Sequence, residues 1–466
     1  MIPGPKSLPI IGNALMFFGS LEKVEKMFYE QDQIGFKNDE PLRRFWIGNL
    51  LIVHALSPEA SKVILESKTE TYKGIGYDFF YDWLGNGLVT SDGDKWKQRK
   101  KLIAPSFSFN MLKKYFETFN KESKAIVERY EVFAKSGEEV EILETIKRAA
   151  LDILCETAMG VKVNIADNPN HPYHLAVKRY FKLATIHFKN IFYQIPYFYY
   201  LFGDKKEKNK LIVILKTFTQ NIIKQKTEEF EKNNEVFNEN TFLSNLLKFK
   251  KENELNDDDI REEVDTFMVA GHDTSSSLAS FLWWSLACYQ DIQEKVYQEI
   301  YDVFGEEERD VLPEDLPKLK YTKMVIEETL RMYPTVPYFN RTLKNEVEVC
   351  GYTLPKGTMF VFPLQQTSFN PKIFPDPFKF DPNRFLPENI SKINPYAFIP
   401  FSSGLRNCVG QKFAMNQIKI MLVWVLRRFK LTTKRDKDYV KTLPEIVQTP
   451  VNGIPIVFKK RKPLLF

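Results

Sequence analysis

The stretch FSSGLRNCVGQKFAM, residues 401–415, sets one cysteine, Cys408, between Gly404 and Gly410, two residues after Arg406 and just ahead of a helix-like run. Glycines there allow backbone conformations denied to other residues and leave room for a large flat group. Backbone N–H groups of such a turn, with the N-terminus of the next helix, surround the sulfur with positive potential and favour a thiolate. Arg406 adds a charge of the same sign. A thiolate fixed by backbone donors and shielded by Phe401 suits an axial ligand to haem iron. Taken alone, the thiol keeps two other roles open. It could be a small buried hydrophobe, the commonest fate of a free cysteine, or a nucleophile, which would need a base that the neighbouring sequence lacks.

The rest of the chain narrows the choice. Its 466 residues are 44% hydrophobic, enough for a large core, and its 39 Phe and 21 Tyr suit wide apolar cavities or membrane-facing surfaces. A net charge of +6 points to a local basic face, not to nucleic-acid binding. Four cysteines without C-x-x-C spacing and five histidines argue against zinc and against a disulfide scaffold, and fit a reducing, cytosol-facing environment. No apolar run is long enough to span a bilayer, and MIPGPKSLPIIGN lacks the marks of a signal peptide.

Residues 1–56 read as a helix followed by a small hairpin, and helical periodicity dominates from about 58 to 335. LNDDDIREEVDTFMVAGHDTSSSLASFLWWSLACY (255–289) opens with acids in its first turn and is then apolar on all sides, which predicts a buried central helix. After Pro334 the texture becomes Pro- and Gly-rich, VEVCGYTLPKGTMFVFPL alternates like a hairpin, and a helix resumes at Gln411 and ends near Phe429. The expected fold class is mainly α with a small β part.

Read as F-x-x-G-x-R-x-C-x-G, the residues Phe401, Gly404, Arg406, Cys408 and Gly410 resemble the haem-binding signature of the cytochrome P-450 superfamily. The resemblance covers nearly the whole chain, and DILCETAMG (152–160) and DDDIREEVDTFM (257–268) are most similar to its family four. It implies one catalytic domain over residues 1–466, with a proline-rich hinge at 1–12 and the usual N-terminal anchor helix absent. Haem b would lie between the central helix and the cysteine loop, with Cys408 on the iron.

The resemblance also assigns roles elsewhere. In EETLRMYP (327–334), Glu328 and Arg331 sit three apart on one helical face, and with Arg384 of DPNRFLPEN they imply a structural network that holds the cysteine loop. AGHDTS (270–275) is similar to the oxygen-activation motif: Thr274 and Asp273 as hydroxyl and acid for proton delivery, Ala270 and Gly271 as small residues that open a groove beside the haem, His272 as no ligand. Trp96, Lys100, Arg341 and Arg406 are implied contacts of the haem propionates. Lys100 stands where arginine is usual, so the planar fork is lost, and the adjacent Arg99 could compensate. Lys97, Arg99, Lys101, Lys113 and Lys114 form a basic patch suited to an acidic electron donor. Ala270 replaces the glutamate that esterifies haem in many family-four enzymes, which implies haem held non-covalently apart from the Cys–iron bond and puts strict terminal-carbon selectivity in doubt.

The implied function is monooxygenation. One atom of O2 enters a C–H bond of a lipophilic substrate (a fatty acid, hormone or xenobiotic), with electrons from NADPH through NADPH–cytochrome P-450 reductase. Two rivals stand beside it: a haem-thiolate isomerase or dehydratase acting on peroxides, and a non-catalytic haem or lipid carrier. The aromatic run IFYQIPYFYYLF (191–202), followed by DKKEKNK, suits a membrane surface, with buried core as the alternative. The expected location is the cytosolic face of the endoplasmic reticulum membrane.

Overall fold

The computed structural model describes residues 1–190, 193, 196–232, 241–252 and 254–461. Residues 191, 192, 194 and 195 of the aromatic run lie outside the described residues, as do 233–240.

The central helix runs unbroken from Asp257 to Cys288, about 48 Å at the usual rise. Asn256 starts it: its side chain accepts from the Asp259 amide, and the Asp259 carboxylate accepts from the Asn256 amide. This reciprocal cap satisfies two donors that a helix start leaves orphaned, and Asp257, Asp258 and Asp259 sit at the positive end of the dipole. From Ile260 to Ala287 almost every side chain is buried, so tertiary packing decides this helix. The helix Leu143–Leu154 lies against it so closely that a Cβ on Gly271 would stand 2.9 Å from a Leu154 methyl.

The expected hairpin near the N-terminus is present: Leu42–Ile47 pairs antiparallel with Leu50–Ala55. The segment after Val347 differs from the expectation. Val347–Val349 and Tyr352–Leu354 do form a hairpin, but Met359–Pro363 leaves it. That strand joins the N-terminal sheet, parallel to Leu50–Ala55 and antiparallel to Tyr338–Thr342. The buried run Phe360–Pro363 explains the choice, because an inner strand needs both faces apolar. The sheet thereby carries Arg341, opposite Phe360, towards the cysteine loop. The helix Gln411–Arg428 follows that loop and is sheathed by the same core that buries the central helix.

Candidate active site

In the cysteine loop the Cys408 amide donates to Phe401 O at 2.9 Å, closing the turn. Phe401 is half-buried and packs on the main core. The two glycines divide their work. Gly404 has φ +67°, and a Cβ there would lie 1.9 Å from Leu65 O at the end of the helix Pro58–Leu65. Its role is close backbone approach. Nothing but the Cys408 sulfur lies within 4 Å of a Cβ placed on Gly410, so the open side of the turn is there.

Cys408 is exposed by area. Protein nevertheless crowds it enough that burial pushes its thiol up, against the pull of the Gly410 and Gln411 amides and of Lys73. Both facts hold for a thiol open on one side and surrounded by protein on the others. The expected depression of the thiol by its turn is thus outweighed by burial in the protein alone; a bound metal deprotonates a coordinating thiol outright. The cation that acts on the sulfur is Lys73, which sequence spacing could not bring there.

Arg406 is held by backbone carbonyls. Its Nε donates to Thr71 O at 3.0 Å and its Nη1 to Leu88 O at 3.2 Å, and Nη2 donates to Ser91 O. Its guanidinium lies over the buried Trp96 ring at 4.3 Å, a cation–π shelf. Arg341 is 3% exposed and donates to Asn340 O at 2.8 Å. Arg341 and Arg406 both act on Lys73, and Arg341 acts on Arg406. Burial lowers all three, Arg406 to about 10, and the neighbouring arginines lower Lys73 and Arg406 further. Among the described residues none of the three has a carboxylate in ion-pair range. Clustered, partly enclosed cations with no carboxylate in ion-pair range are costly unless an anion joins them, and Lys73 of this cluster acts on the thiol.

Lys100 and Arg99 both have protein partners. Lys100 Nζ donates to Leu405 O and to Asn407 Oδ1 at 3.0 Å, fastening the cysteine loop to the helix Gly93–Ile103. Arg99 is buried and turned to the central helix, on Asp259 and 3.6 Å from Glu263, so it neither replaces Lys100 nor joins the basic patch. Lys97, Lys101, Lys113 and Lys114 are exposed.

On the central helix, burial breaks at Ala270, Gly271 and Thr274, which share one side of a turn. Thr274 Oγ1 donates to Ala270 O at 2.8 Å. Asp273 is 2% exposed and paired with Lys147 Nζ at 2.7 Å. That partner, from the helix Leu143–Leu154, has no sequence signal. Burial opposes charge on Lys147, yet Asp273 raises its pKa on balance. Gly271 serves the contact with Leu154, with no interruption of the helix. His272 Nδ1 lies 2.5 Å from Met268 O, and burial pushes it down to about 4.

Glu328 and Arg331 form a bidentate pair at 2.7 and 2.9 Å, both fully buried. Arg384 Nε stands 3.6 Å from Glu328, and the Asp381 amide donates to it at 2.7 Å. Arg331 also donates to the carbonyls of Ser368, Pro377 and Lys379. The network therefore gathers residues 368–384, and beyond it Phe385 packs on Phe398, just ahead of the cysteine loop, at 4.8 Å.

A recessed thiol among backbone donors, with unpaired cations beside it, suits a dianionic metal porphyrin better than any nucleophile's substrate. This is the donor set of a haem-thiolate protein. The profile described as Cytochrome P450 matches residues 2–457. The chain is 34% identical to "Cytochrome P450 4V2" of Homo sapiens, over 98% of this chain and 89% of that one. It is 34% identical to "Cytochrome P450 4c21" of Blattella germanica (99% and 93% covered) and 35% identical to "Cytochrome P450 4d2" of Drosophila melanogaster (99% and 94%). The chain belongs to the cytochrome P-450 family, whose enzymes are haem-thiolate monooxygenases.

Proposed function

We propose that this chain hydroxylates a lipophilic substrate of the fatty-acid, hormone or xenobiotic kind, fed by NADPH–cytochrome P-450 reductase. The observation that carries the reading is the recessed Cys408 beside the unpaired cations Lys73, Arg341 and Arg406. The haem, when bound, supplies the activation of O2. The chain's own residues do the rest. Cys408 donates its thiolate, with the Gly410 and Gln411 amides as partners. Lys73, Arg341 and Arg406 neutralise the propionates, and Trp96 supports Arg406. Phe401 shields the sulfur. Ala270, whose methyl offers no carboxylate for an ester, and Gly271 border the site. Thr274 offers its hydroxyl on the open side of the helix, and Asp273, held by Lys147, is the acid from which protons reach it. Glu328, Arg331 and Arg384 are structural.

The exposed lysines 97, 101, 113 and 114 support docking of an acidic reductase. Among the described residues no helix is long and apolar enough to cross a membrane. Exposed Ile10, Tyr197, Tyr200 and Leu201 support a peripheral seat on the cytosolic face of the endoplasmic reticulum. The test is reconstitution with reductase and NADPH over a panel of fatty acids, terpenoids and aromatics. Product that needs NADPH upholds the reading. Rearranged peroxide formed without NADPH contradicts it.

A further inference from the structure

Leu88 is a loop residue with both sides of its peptide engaged. Its carbonyl accepts from Arg406 Nη1 at 3.2 Å, and its amide donates to Glu263 Oε2 at 3.0 Å. One residue thus stands between the cysteine loop and the central helix. The loop has no slack. A Cβ on Gly87 would lie 2.2 Å from Thr266 Oγ1, and one on Gly85 would lie 2.0 Å from Glu262 Oε1.

Glu263 is fully buried, and its Oε1 has no hydrogen-bond partner. The nearest cation, Arg99 Nε at 3.6 Å, belongs to a side chain committed to Asp259. By contrast, Asp265 on the same helix has both oxygens engaged, by Thr219 and Arg261. A buried carboxylate that leaves one oxygen bare and gives the other to a single backbone amide is poorly explained by stability alone.

We propose that Glu263 is a positioning residue: by holding the Leu88 amide it sets the place of Arg406, and through it how firmly the chain grips the haem carboxylates. The proposal rests on the reading of Arg406 as a haem ligand. Burial pushes the Glu263 carboxyl up to about 7, the Leu88 amide and Arg99 pull it down, Glu262 pushes it up, and Lys95 pulls it down. Asp259 faces it across Arg99. An ionised acceptor makes a hydrogen bond roughly twice as strong as a neutral one. The grip therefore tightens as pH rises through about 7.

The test follows transfer of ferric haem from the holoprotein to excess apomyoglobin, at pH values on both sides of 7. The wild type is expected to lose haem roughly tenfold more slowly above the step than below it. Glu263→Gln is expected to be flat, at the wild type's low-pH rate. Asp265→Asn is expected to keep the step, and Arg99→Gln to move it to higher pH. A flat wild type, or an unchanged step in Glu263→Gln, overturns the proposal. If Glu263→Gln does not fold, Arg99→Gln decides: a step displaced upward upholds it and an unmoved one overturns it. A wild type with no Soret band after haem addition fails differently, by removing the haem reading and this proposal with it.

Discussion

The Arg406 guanidinium rests over the Trp96 ring at 4.3 Å while its three nitrogens donate to the carbonyls of Thr71, Leu88 and Ser91. Three of its five N–H groups are therefore committed to protein carbonyls. Charge-assisted hydrogen bonds contribute about 1.5–3 kcal/mol each. Arg406→Lys loses the planar fork and is expected to bind haem at least tenfold more weakly while remaining folded. The ratio of haem to protein after gel filtration checks this.

Glu328 and Arg331 give a different prediction. Removing one partner of a fully buried pair strands the other, at a cost of about 3–5 kcal/mol. Glu328→Gln should lower the unfolding midpoint of the protein even without haem, measured by denaturant titration. A variant that changed only turnover would assign the pair to chemistry instead.

Thr274→Ala removes a hydroxyl that the helix itself already satisfies through Ala270 O. Stability should change little and the ferrous–CO spectrum not at all. NADPH consumed per product should rise several-fold, because electrons then leave without hydroxylation. Asp273→Asn should show the same uncoupling together with a loss of stability, since Lys147 stays buried without its partner.

His272 supplies a pH dependence. Burial lowers it from 6.5 to about 4, so the folded state favours the neutral ring. Its contribution to stability is present above about pH 6.5 and is lost as pH falls towards 4. His272→Gln should therefore destabilise the protein near neutrality, and the gap in melting temperature from wild type should narrow on acidification.

The parts of this molecule that local pattern governs were legible in the sequence. The central helix was readable from its acidic first turn and its all-round apolar run, and the helix after Cys408 from its periodicity. The cysteine loop was readable because its glycines, arginine and thiol are contiguous. The unread parts are made by distant segments. Lys73 acts on the sulfur, Lys147 pairs with Asp273, and Leu88 joins Arg406 to Glu263, and none of these neighbours has a local signature. Gly404 and Gly271 also answer a packing demand that the sequence does not show, on Leu65 O and on Leu154. Arg99 read as a surface cation because its neighbours are lysines, but it points at two carboxylates on another helix.

The central claim is a sulfur–iron bond at Cys408, and the ferrous–CO difference spectrum measures it most directly. Wild-type protein reconstituted with haem is expected to give the red-shifted Soret band of a thiolate ligand, and Cys408→His the shorter-wavelength band of an imidazole ligand. A wild type that showed only the shorter-wavelength band, or a Cys408→His variant that kept the red-shifted one, would contradict the account.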